Sequence, residues 1–169
     1  MGRKEARYEA IADVGPIALA VVENPAQADA LDWLNKVLKG EIRCVIPLSS
    51  IMGAFIIAVH YLGARPDDVA DRLYSLAGIG EALWFSDLSL NRVKRSMNIA
   101  RNYLIDSWDA YLVTIMHDLR LRIVYTTDVN NFAKIKGIEP INPITEEKFM
   151  ELQRWLKSRK RYYQSFQDI

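Results

Sequence analysis

The sequence predicts an α/β protein with a mostly parallel central sheet of about five strands and helices on both faces. Short apolar runs typical of strands alternate along the chain with segments of helical periodicity, and parallel strands need such crossover connections. Hydrophobic residues make up 50% of the 169 residues, which is enough to bury a substantial core in one domain. The sequence contains no repeat, low-complexity segment or linker that would divide it.

The first strand is followed directly by a helix. The run RYEAIADVG, residues 7–15, is typical of a strand, and Gly15-Pro16 opens a short helix because proline suits the first helical position. Asn24-Pro25 ends this helix. Residues 26–40 predict a second helix with an apolar face that contains Leu31, Leu34 and Leu38.

The remaining elements continue the alternation. A second strand, residues 42–47, leads into a helix over about residues 49–62, for which Ser49 or Ser50 is available as the N-cap. The later elements are predicted as helix 67–77, strand 81–88, helix 89–103, helix 107–119, strand 122–126, strand 138–142 and a final helix capped by Thr145.

Charge and cysteine content indicate which class of protein and which cellular compartment the sequence fits. The 22 basic and 21 acidic residues give a formal net charge of +1. The chain therefore lacks the strong overall electrostatic field that is typical of many nucleic-acid-binding and membrane-binding proteins. The single cysteine, Cys44, lies in the apolar run IRCVIPL and is expected to be buried, as in a reducing, cytoplasmic environment. The longest apolar segment, residues 44–62, is divided by Pro47 and two serines, so we expect no membrane span.

Three aspartates indicate a metal site. Asp13 and Asp128 each follow a predicted strand, and Asp109 lies at the start of a late helix. Side chains at the carboxyl ends of parallel strands converge on one crevice, and hard ions such as Mg²⁺ or Mn²⁺ prefer carboxylate ligands. Each aspartate also has a structural alternative: a turn or cap for Asp13, a helix-dipole interaction for Asp109, and an Asx-turn for Asp128.

Two further polar residues accompany these aspartates. Asp106 lies about one helical turn before Asp109 and could contribute a water-mediated ligand, although an N-cap role is the better interpretation. Asn131 could orient a bound water or form a turn after Asp128. The chain has no P-loop, G-x-S-x-G or H-E-x-x-H motif, so nucleotide-dependent and serine-hydrolase functions lack support.

The order of these residues resembles the PIN-domain family, in particular the VapC-type toxin ribonucleases. The resemblance covers about residues 6–144 and is clearest in IDSWDAYLVTIMHDLRLRIVYTTDVNNFAKIKGIEPINP, where an acidic helix start is followed by T-x-D, a phenylalanine and a final I-N-P. Residues 145–169 add a C-terminal helix and a basic, aromatic tail to the same predicted domain.

The resemblance implies an activity and a set of partners. Asp13, Asp109 and Asp128 match the family's metal-binding and catalytic carboxylates, which implies Mg²⁺- or Mn²⁺-dependent hydrolysis of RNA phosphodiester bonds. It also implies a homodimer and, for the toxin of a toxin-antitoxin pair, a small antitoxin protein that blocks the acidic crevice.

The sequence departs from the family at one position. The family usually has a glutamate early in the helix after the second strand, and that position falls on Gly53, with no acidic residue between Glu41 and Asp67. This favours an alternative, a catalytically weakened PIN domain that binds RNA or a protein. Another alternative is an unrelated α/β protein with an acidic Mg²⁺ site, such as a receiver-like or phosphatase domain. Such a domain would require paired acidic residues after the first strand, where only Asp13 occurs.

The C-terminal tail is a candidate RNA contact. Arg159, Lys160 and Arg161 adjoin Tyr162 and other aromatic residues, so cations for phosphates lie next to rings on which unpaired bases could stack. A solvated helix face is the alternative interpretation of this charge, and the aromatic residues could instead dock the last helix on the body of the protein or on a second subunit.

Overall fold

The described residues form one five-stranded parallel sheet. The computed structural model describes residues 8–79, 84–86 and 88–167, and side chains up to residue 159. The strand order is β3-β2-β1-β4-β5, and each neighbouring pair is parallel. The predicted α/β class with a parallel sheet is therefore confirmed. The strands are β1 Ala10–Ala12, β2 Cys44–Pro47, β3 Trp84–Phe85, β4 Ile123–Tyr125 and β5 Glu139–Ile141.

Helices cover both faces of this sheet. The third helix continues directly into a π-helical turn, Ile57–Tyr61. None of the helices in the described part of the chain is both long and apolar enough to cross a membrane. The helices are α1 Val14–Val21, α2 Gln27–Leu38, α3 Leu48–Ile56, α4 Pro66–Ala77, α5 Leu90–Tyr103, α6 Ser107–Leu119, α7 Val129–Ala133 and α8 Glu146–Gln167.

The alternation of side chains along the strands separates two apolar cores. Ala10 and Ala12 of β1 point into the core formed with α1 to α4 and α8, whereas Ile11 points into the core formed with α6 and α7. Cys44, fully buried as predicted, lies in the first of these cores. Because both faces are covered, the central strands are apolar at every position, as is usual for parallel sheets.

Two local predictions were wrong. Strand β1 covers only residues 10–12, because α1 begins at Val14 and Asp13 is its N-cap. Helix α3 begins at Leu48 with Pro47 in the cap position, so neither predicted serine caps it; the Ser50 hydroxyl instead donates to the Ala12 carbonyl oxygen, 3.1 Å away. The predicted third strand is present at Trp84–Phe85, and residues 81–83 and 87 of the predicted range lie outside the described residues.

The apolar face of α2 matches the prediction at Leu34 and differs from it at Leu31. Its buried residues are Ala30, Trp33, Leu34 and Val37, whereas Leu31 is exposed. Thr145 does precede α8, but its hydroxyl and its backbone N–H both donate to the Asp29 carboxylate, at 2.7 and 2.8 Å. This side chain therefore ties the start of α8 to α2, while the Thr145 carbonyl oxygen accepts from the Phe149 N–H at the start of the helix, as expected for the predicted cap position.

Replacing Leu104 by glycine should stabilise the protein. Leu104 ends α5 in a left-handed conformation (φ 52°), and its side chain is 84% exposed, so glycine would relieve backbone strain and remove little packing. Allowing for the greater freedom of glycine in the unfolded chain, we expect a gain of about 0.5–1 kcal/mol in the free energy of unfolding, measured by urea denaturation. Tyr74→Gly is the matched control, because Tyr74 is 85% exposed but lies within α4. It should lose about 1 kcal/mol. Equal losses in the two variants would contradict the left-handed assignment.

Candidate functional site

Four aspartates line one cavity at the carboxyl edge of the sheet. The cavity has a volume of about 360 Å³, and its lining includes the three predicted aspartates together with Asp106. Asp13 follows β1 and Asp128 follows β4, which are adjacent central strands. Asp109 lies in the first turn of α6. The sequence prediction that these residues share one crevice agrees with this placement.

Hydrogen bonds fix the first of these carboxylates. The Asp13 N–H extends the β1–β4 ladder by donating to the Tyr125 carbonyl oxygen at 2.9 Å. In the side chain, Oδ1 accepts from the Val14 N–H at 2.6 Å and Oδ2 accepts from the Thr126 hydroxyl at 2.7 Å. Asp13 is therefore buried and held on both oxygens, and its cap role coexists with its position at the cavity.

Thr126 connects two of the aspartates. Its fully buried hydroxyl donates to Asp13 and accepts from the Asp128 N–H at 2.9 Å. In the sequence, Thr126 is the threonine of the T-x-D motif that ends at Asp128, and the motif by itself does not indicate this connecting role. Because a threonine hydroxyl can donate and accept at once, this residue fixes the position of the Asp128 backbone relative to the Asp13 carboxylate.

Asn131 connects the remaining pair. Its side-chain amide donates to Asp109 Oδ2 at 3.1 Å and to Asp128 Oδ2 at 2.7 Å. Its carbonyl oxygen accepts from Lys134 Nζ at 2.9 Å. Asp128 also caps α7 by accepting from the Asn131 N–H. The amide of Asn131 thus lies between two carboxylates that would otherwise repel each other.

The N-cap interpretation of Asp106 is confirmed. Its Oδ1 accepts from the Trp108 and Asp109 N–H groups at 2.8 and 2.9 Å. These bonds satisfy two of the free donors at the start of α6. Since Oδ1 makes both bonds, Oδ2 is the oxygen that Asp106 can direct to the cavity.

The site holds negative charge at an energetic cost. Burial raises the pKa of Asp13 to about 6, with smaller contributions from Asp106 and Asp128, although the bonds from Thr126 and Val14 act in the opposite direction. Burial and repulsion from Asp106, Asp13 and Asp128 raise the pKa of Asp109 to about 7, against the bond from Asn131. A cation near these groups would lower both pKa values.

The ligand chemistry of the site suits a hard divalent ion, but the side chains do not form a ready ligand set. Carboxylate oxygens are the donors that Mg²⁺ and Mn²⁺ prefer. Within residues 8–79, 84–86 and 88–167, no three His, Cys, Asp or Glu side chains lie close enough together to hold an ion as they stand. The hydrogen bonds explain this spacing, because Asp13 is turned toward Thr126 and the Asn131 amide lies between Asp109 and Asp128. Ion binding would require these side chains to adjust.

Gly53 lies at the same cavity without room for a larger side chain. A Cβ atom on Gly53 would come within 2.8 Å of Trp108 Cζ2 and 2.9 Å of Val14 Cγ2. The indole of Trp108 therefore occupies the space into which a residue at position 53 would extend. A larger residue at position 53 would therefore require Trp108 and Val14 to move.

Of the predicted RNA contacts in the tail, the structure describes the side chain of Arg159, which lies outside the acidic cavity. The guanidinium of Arg159 stacks 4.1 Å from the ring centroid of Trp155 and donates to the Leu62 carbonyl oxygen, which docks α8 against the end of the π-helical turn. Arg159 lines a separate cavity of about 580 Å³. The side chains of Lys160, Arg161 and Tyr162 lie outside the described residues.

Comparison with known proteins shows a similarity of fold. No protein-family model matches the sequence. No curated protein matches it. Among solved structures, the chain is similar to the crystal structure of PAE2754 from Pyrobaculum aerophilum, with a TM-score of 0.57 and 16% sequence identity over 89% of this chain and 98% of that chain. At this identity the similarity shows the fold alone.

Replacing Asp109 by asparagine should remove part of the pH dependence of stability. The folded pKa of about 7 lies above the ordinary 3.8, so the native state binds the proton more tightly and stability falls as pH rises from about 4 through 7. At pH 8 without divalent ions, Asp109→Asn should be more stable than the wild type by roughly 1–2 kcal/mol, allowing for solvent screening, and nearly equal at pH 4. Urea unfolding at both pH values measures the difference.

Asp118→Asn provides a control of opposite sign. Burial would raise the pKa of Asp118, but hydrogen bonds from Arg92 and Arg95 outweigh it and lower the pKa. This variant should therefore lose stability at pH 8. A loss of stability at pH 8 in Asp109→Asn as well would contradict the charge strain assigned to the cavity.

Proposed function

We propose that this protein is a divalent-metal-dependent ribonuclease that hydrolyses RNA phosphodiester bonds. The observation that carries the proposal is the gathering of four carboxylates around one open cavity at the carboxyl edge of a parallel sheet. This is the arrangement that the resemblance to the PIN-domain family implies. Burial and repulsion among the carboxylates raise the pKa values of Asp13 and Asp109, and a bound cation would relieve that repulsion.

The carboxylates have distinct roles in this proposal. Asp13, Asp109 and Asp128 would hold Mg²⁺ or Mn²⁺, and Asp106 Oδ2 would accept from a metal-bound water. A bound divalent ion supplies an activated water and neutralises charge on the phosphoryl oxygens. Thr126 orients Asp13, and the Asn131 amide holds Asp109 beside Asp128, where both would be available to a bound ion. Such supporting bonds commonly determine how well ligands bind a metal.

The biological setting belongs to the same proposal. The resemblance to VapC-type toxins supports a cytoplasmic ribonuclease that acts as the toxin of a toxin-antitoxin pair. In that setting an antitoxin protein would cover the acidic cavity, and the enzyme would work as a homodimer.

A second candidate is a PIN-like module that binds RNA or a protein and has weakened or lost cleavage. Gly53 favours this function, because the indole of Trp108 fills the space that a fifth carboxylate would need. The two candidates differ in whether the reduced acidic set still supports hydrolysis.

Cleavage of a structured RNA pool tests the first candidate. We expect cutting in Mn²⁺ or Mg²⁺ that stops in EDTA, and a loss of at least about 100-fold in Asp128→Asn, because one candidate ligand is removed while the exposed position keeps its fold. Asp68→Asn is the matched control, since Asp68 is an exposed carboxylate outside the cavity. Cutting that persists in EDTA or is unaffected by Asp128→Asn would remove the proposed site.

Restoring a carboxylate at position 53 tests the second candidate. Gly53→Glu alone should lose about 1–3 kcal/mol in the free energy of unfolding, because its Cβ meets Trp108 and Val14. Adding Trp108→Ala should recover the part of this loss that comes from the contact with Trp108, while the contact with Val14 remains. It should also tighten Mn²⁺ binding, measured by calorimetry. A rise in kcat at saturating RNA over Trp108→Ala alone would identify the missing glutamate as the cause of weakened cleavage. No gain in metal affinity would contradict this account of position 53.

A further inference from the structure

A second polar cavity lies apart from the four aspartates. It has a volume of about 580 Å³, and none of the described residues lines both this cavity and the acidic one. Three arginines line it, Arg65, Arg72 and Arg159, and we call it the arginine cavity. Its walls come from the end of α1, the segment after the π-helical turn, one side of α4 and the far part of α8. Because α8 follows residue 144, one wall is built by a part of the chain that the resemblance to the PIN-domain family does not cover.

Two of the three guanidinium groups are held in place by backbone carbonyl groups. Arg72 Nη1 donates to the carbonyl oxygen of Val21, the last residue of α1, at 2.7 Å. Arg159 donates to the Leu62 carbonyl oxygen and stacks on Trp155. A guanidinium group has five N–H donors, and each of these two uses one of them within the described residues. Since both side chains line the cavity, their other donors are available to a molecule inside it.

A structural role explains two of the arginines and leaves the third unexplained. Arg72 and Arg159 satisfy carbonyl groups at the ends of helical segments, as basic side chains commonly do. The side chain of Arg65 makes no hydrogen bond within residues 8–79, 84–86 and 88–167. Its Nε atom lies 4.0 Å from Asp68 Oδ2 in an exposed pair, which contributes little to stability. Arg65 therefore adds a positive charge at the cavity that the fold itself does not require.

The charges around the cavity favour a phosphate as the ligand. Three arginines and two carboxylates, Glu23 and Asp68, line it, so positive charge is in excess. Like charges gathered at one site repel each other unless a counter-charge joins them. One guanidinium group can satisfy a carboxylate ligand in bidentate fashion, whereas a phosphate monoester offers three acceptor oxygens and about two negative charges. A set of three guanidinium groups therefore fits a phosphate better than a carboxylate.

The size and the acidic residues of the cavity indicate what the phosphate is attached to. A volume of about 580 Å³ lies within the usual range for small-molecule sites and exceeds the needs of a phosphate alone. The Glu23 carboxylate makes no hydrogen bond or ion pair with the described part of the chain. It and Asp68 can accept hydrogen bonds from hydroxyl groups but would repel a second anionic group. These acceptors match a ligand that combines one phosphate with several hydroxyl groups.

We propose that the arginine cavity binds a small phosphate monoester that carries hydroxyl groups, with the chemistry shared by sugar phosphates and nucleoside monophosphates. The phosphate lies between Arg72 and Arg159 with Arg65 beside it, and the hydroxyl groups donate to Glu23 and Asp68. Arginine suits this role because its rigid, planar group matches phosphate geometry. The inference goes beyond the proposed ribonuclease function and does not depend on it, because the acidic cavity takes no part in this site.

Isothermal titration calorimetry in EDTA tests the ligand class, because no divalent ion then contributes at the acidic cavity. The probes are ribose 5-phosphate, inorganic phosphate and ribose. We expect ribose 5-phosphate to bind with a Kd below about 1 mM, roughly 10-fold more tightly than inorganic phosphate, and ribose to give no detectable binding. Binding of ribose as tight as that of ribose 5-phosphate, or no binding of ribose 5-phosphate, would overturn the proposal. Equal affinity for inorganic phosphate would overturn the hydroxyl contacts.

Adenosine 5′-monophosphate distinguishes the two sources of this chemistry. Tighter binding than that of ribose 5-phosphate would identify a nucleoside monophosphate as the ligand and support the site. Weaker binding would identify a sugar phosphate and support it equally. Binding of neither compound would overturn it.

Substitutions separate ligand binding from a structural role of the arginines. Arg65→Gln should keep the fold, because this exposed side chain makes no hydrogen bond in the described residues, and should weaken ribose 5-phosphate binding about 5- to 30-fold. Arg72→Lys keeps a donor for the Val21 carbonyl oxygen but loses the planar fork, so binding should weaken about 3-fold or more. Urea unfolding confirms that both variants are folded.

Arg154→Gln is the matched control. Arg154 is an exposed arginine of α8 that donates to the Met150 carbonyl oxygen of its own helix and lies outside the cavity lining. This variant should bind ribose 5-phosphate like the wild type. Wild-type affinity in Arg65→Gln and Arg72→Lys as well would assign the arginines to the fold alone and overturn the proposal.

Discussion

The candidate site depends on the pairing of β1 with β4. This pairing places Asp13 beside the chain that leads to Asp128, and the buried Thr126 hydroxyl then bonds the carboxylate of one and the backbone of the other. Everything else at the cavity is arranged around these two strand ends. Helix α6 contributes Asp109 because Asp106 caps its first turn, and α7 contributes the Asn131 amide between two carboxylates.

In the folded state, this site holds several aspartates close together, and their negative charges are unfavourable for stability. Burial and, to a smaller extent, two neighbouring acids raise the pKa values of Asp13 and Asp109, and the neutral donors Thr126 and Asn131 offset only part of this effect. Such an arrangement reduces stability at neutral pH, and proteins tolerate it mainly where ligand binding or chemistry uses the charge. The same hydrogen bonds that limit the repulsion also keep the carboxylates apart. In their present positions these carboxylates therefore do not form a set of metal ligands.

Trp108 forms the boundary between the acidic cavity and an apolar groove beside it, whose lining includes Met52, Leu88 and Met97. Its ring fills the space above Gly53, closes one side of the acidic cavity and opens on an apolar groove bordered by a basic helix. One side chain thus limits the space at position 53 and forms part of the surface beside it. A binding module and a nuclease would share these features, since both would require a path for the nucleic acid.

The sequence by itself determined the α/β class, the order of the elements and the convergence of Asp13, Asp109 and Asp128, because apolar periodicity and strand-end positions are local signals. It did not reveal the buried face of α2, where Trp33 replaces Leu31, since two faces of that helix carry apolar residues. Only the tertiary structure decided the roles of Thr126, Asn131 and Trp108. Their partners are distant in the chain or on other helices, and no spacing rule links residue 53 to residue 108 or residue 13 to residue 126.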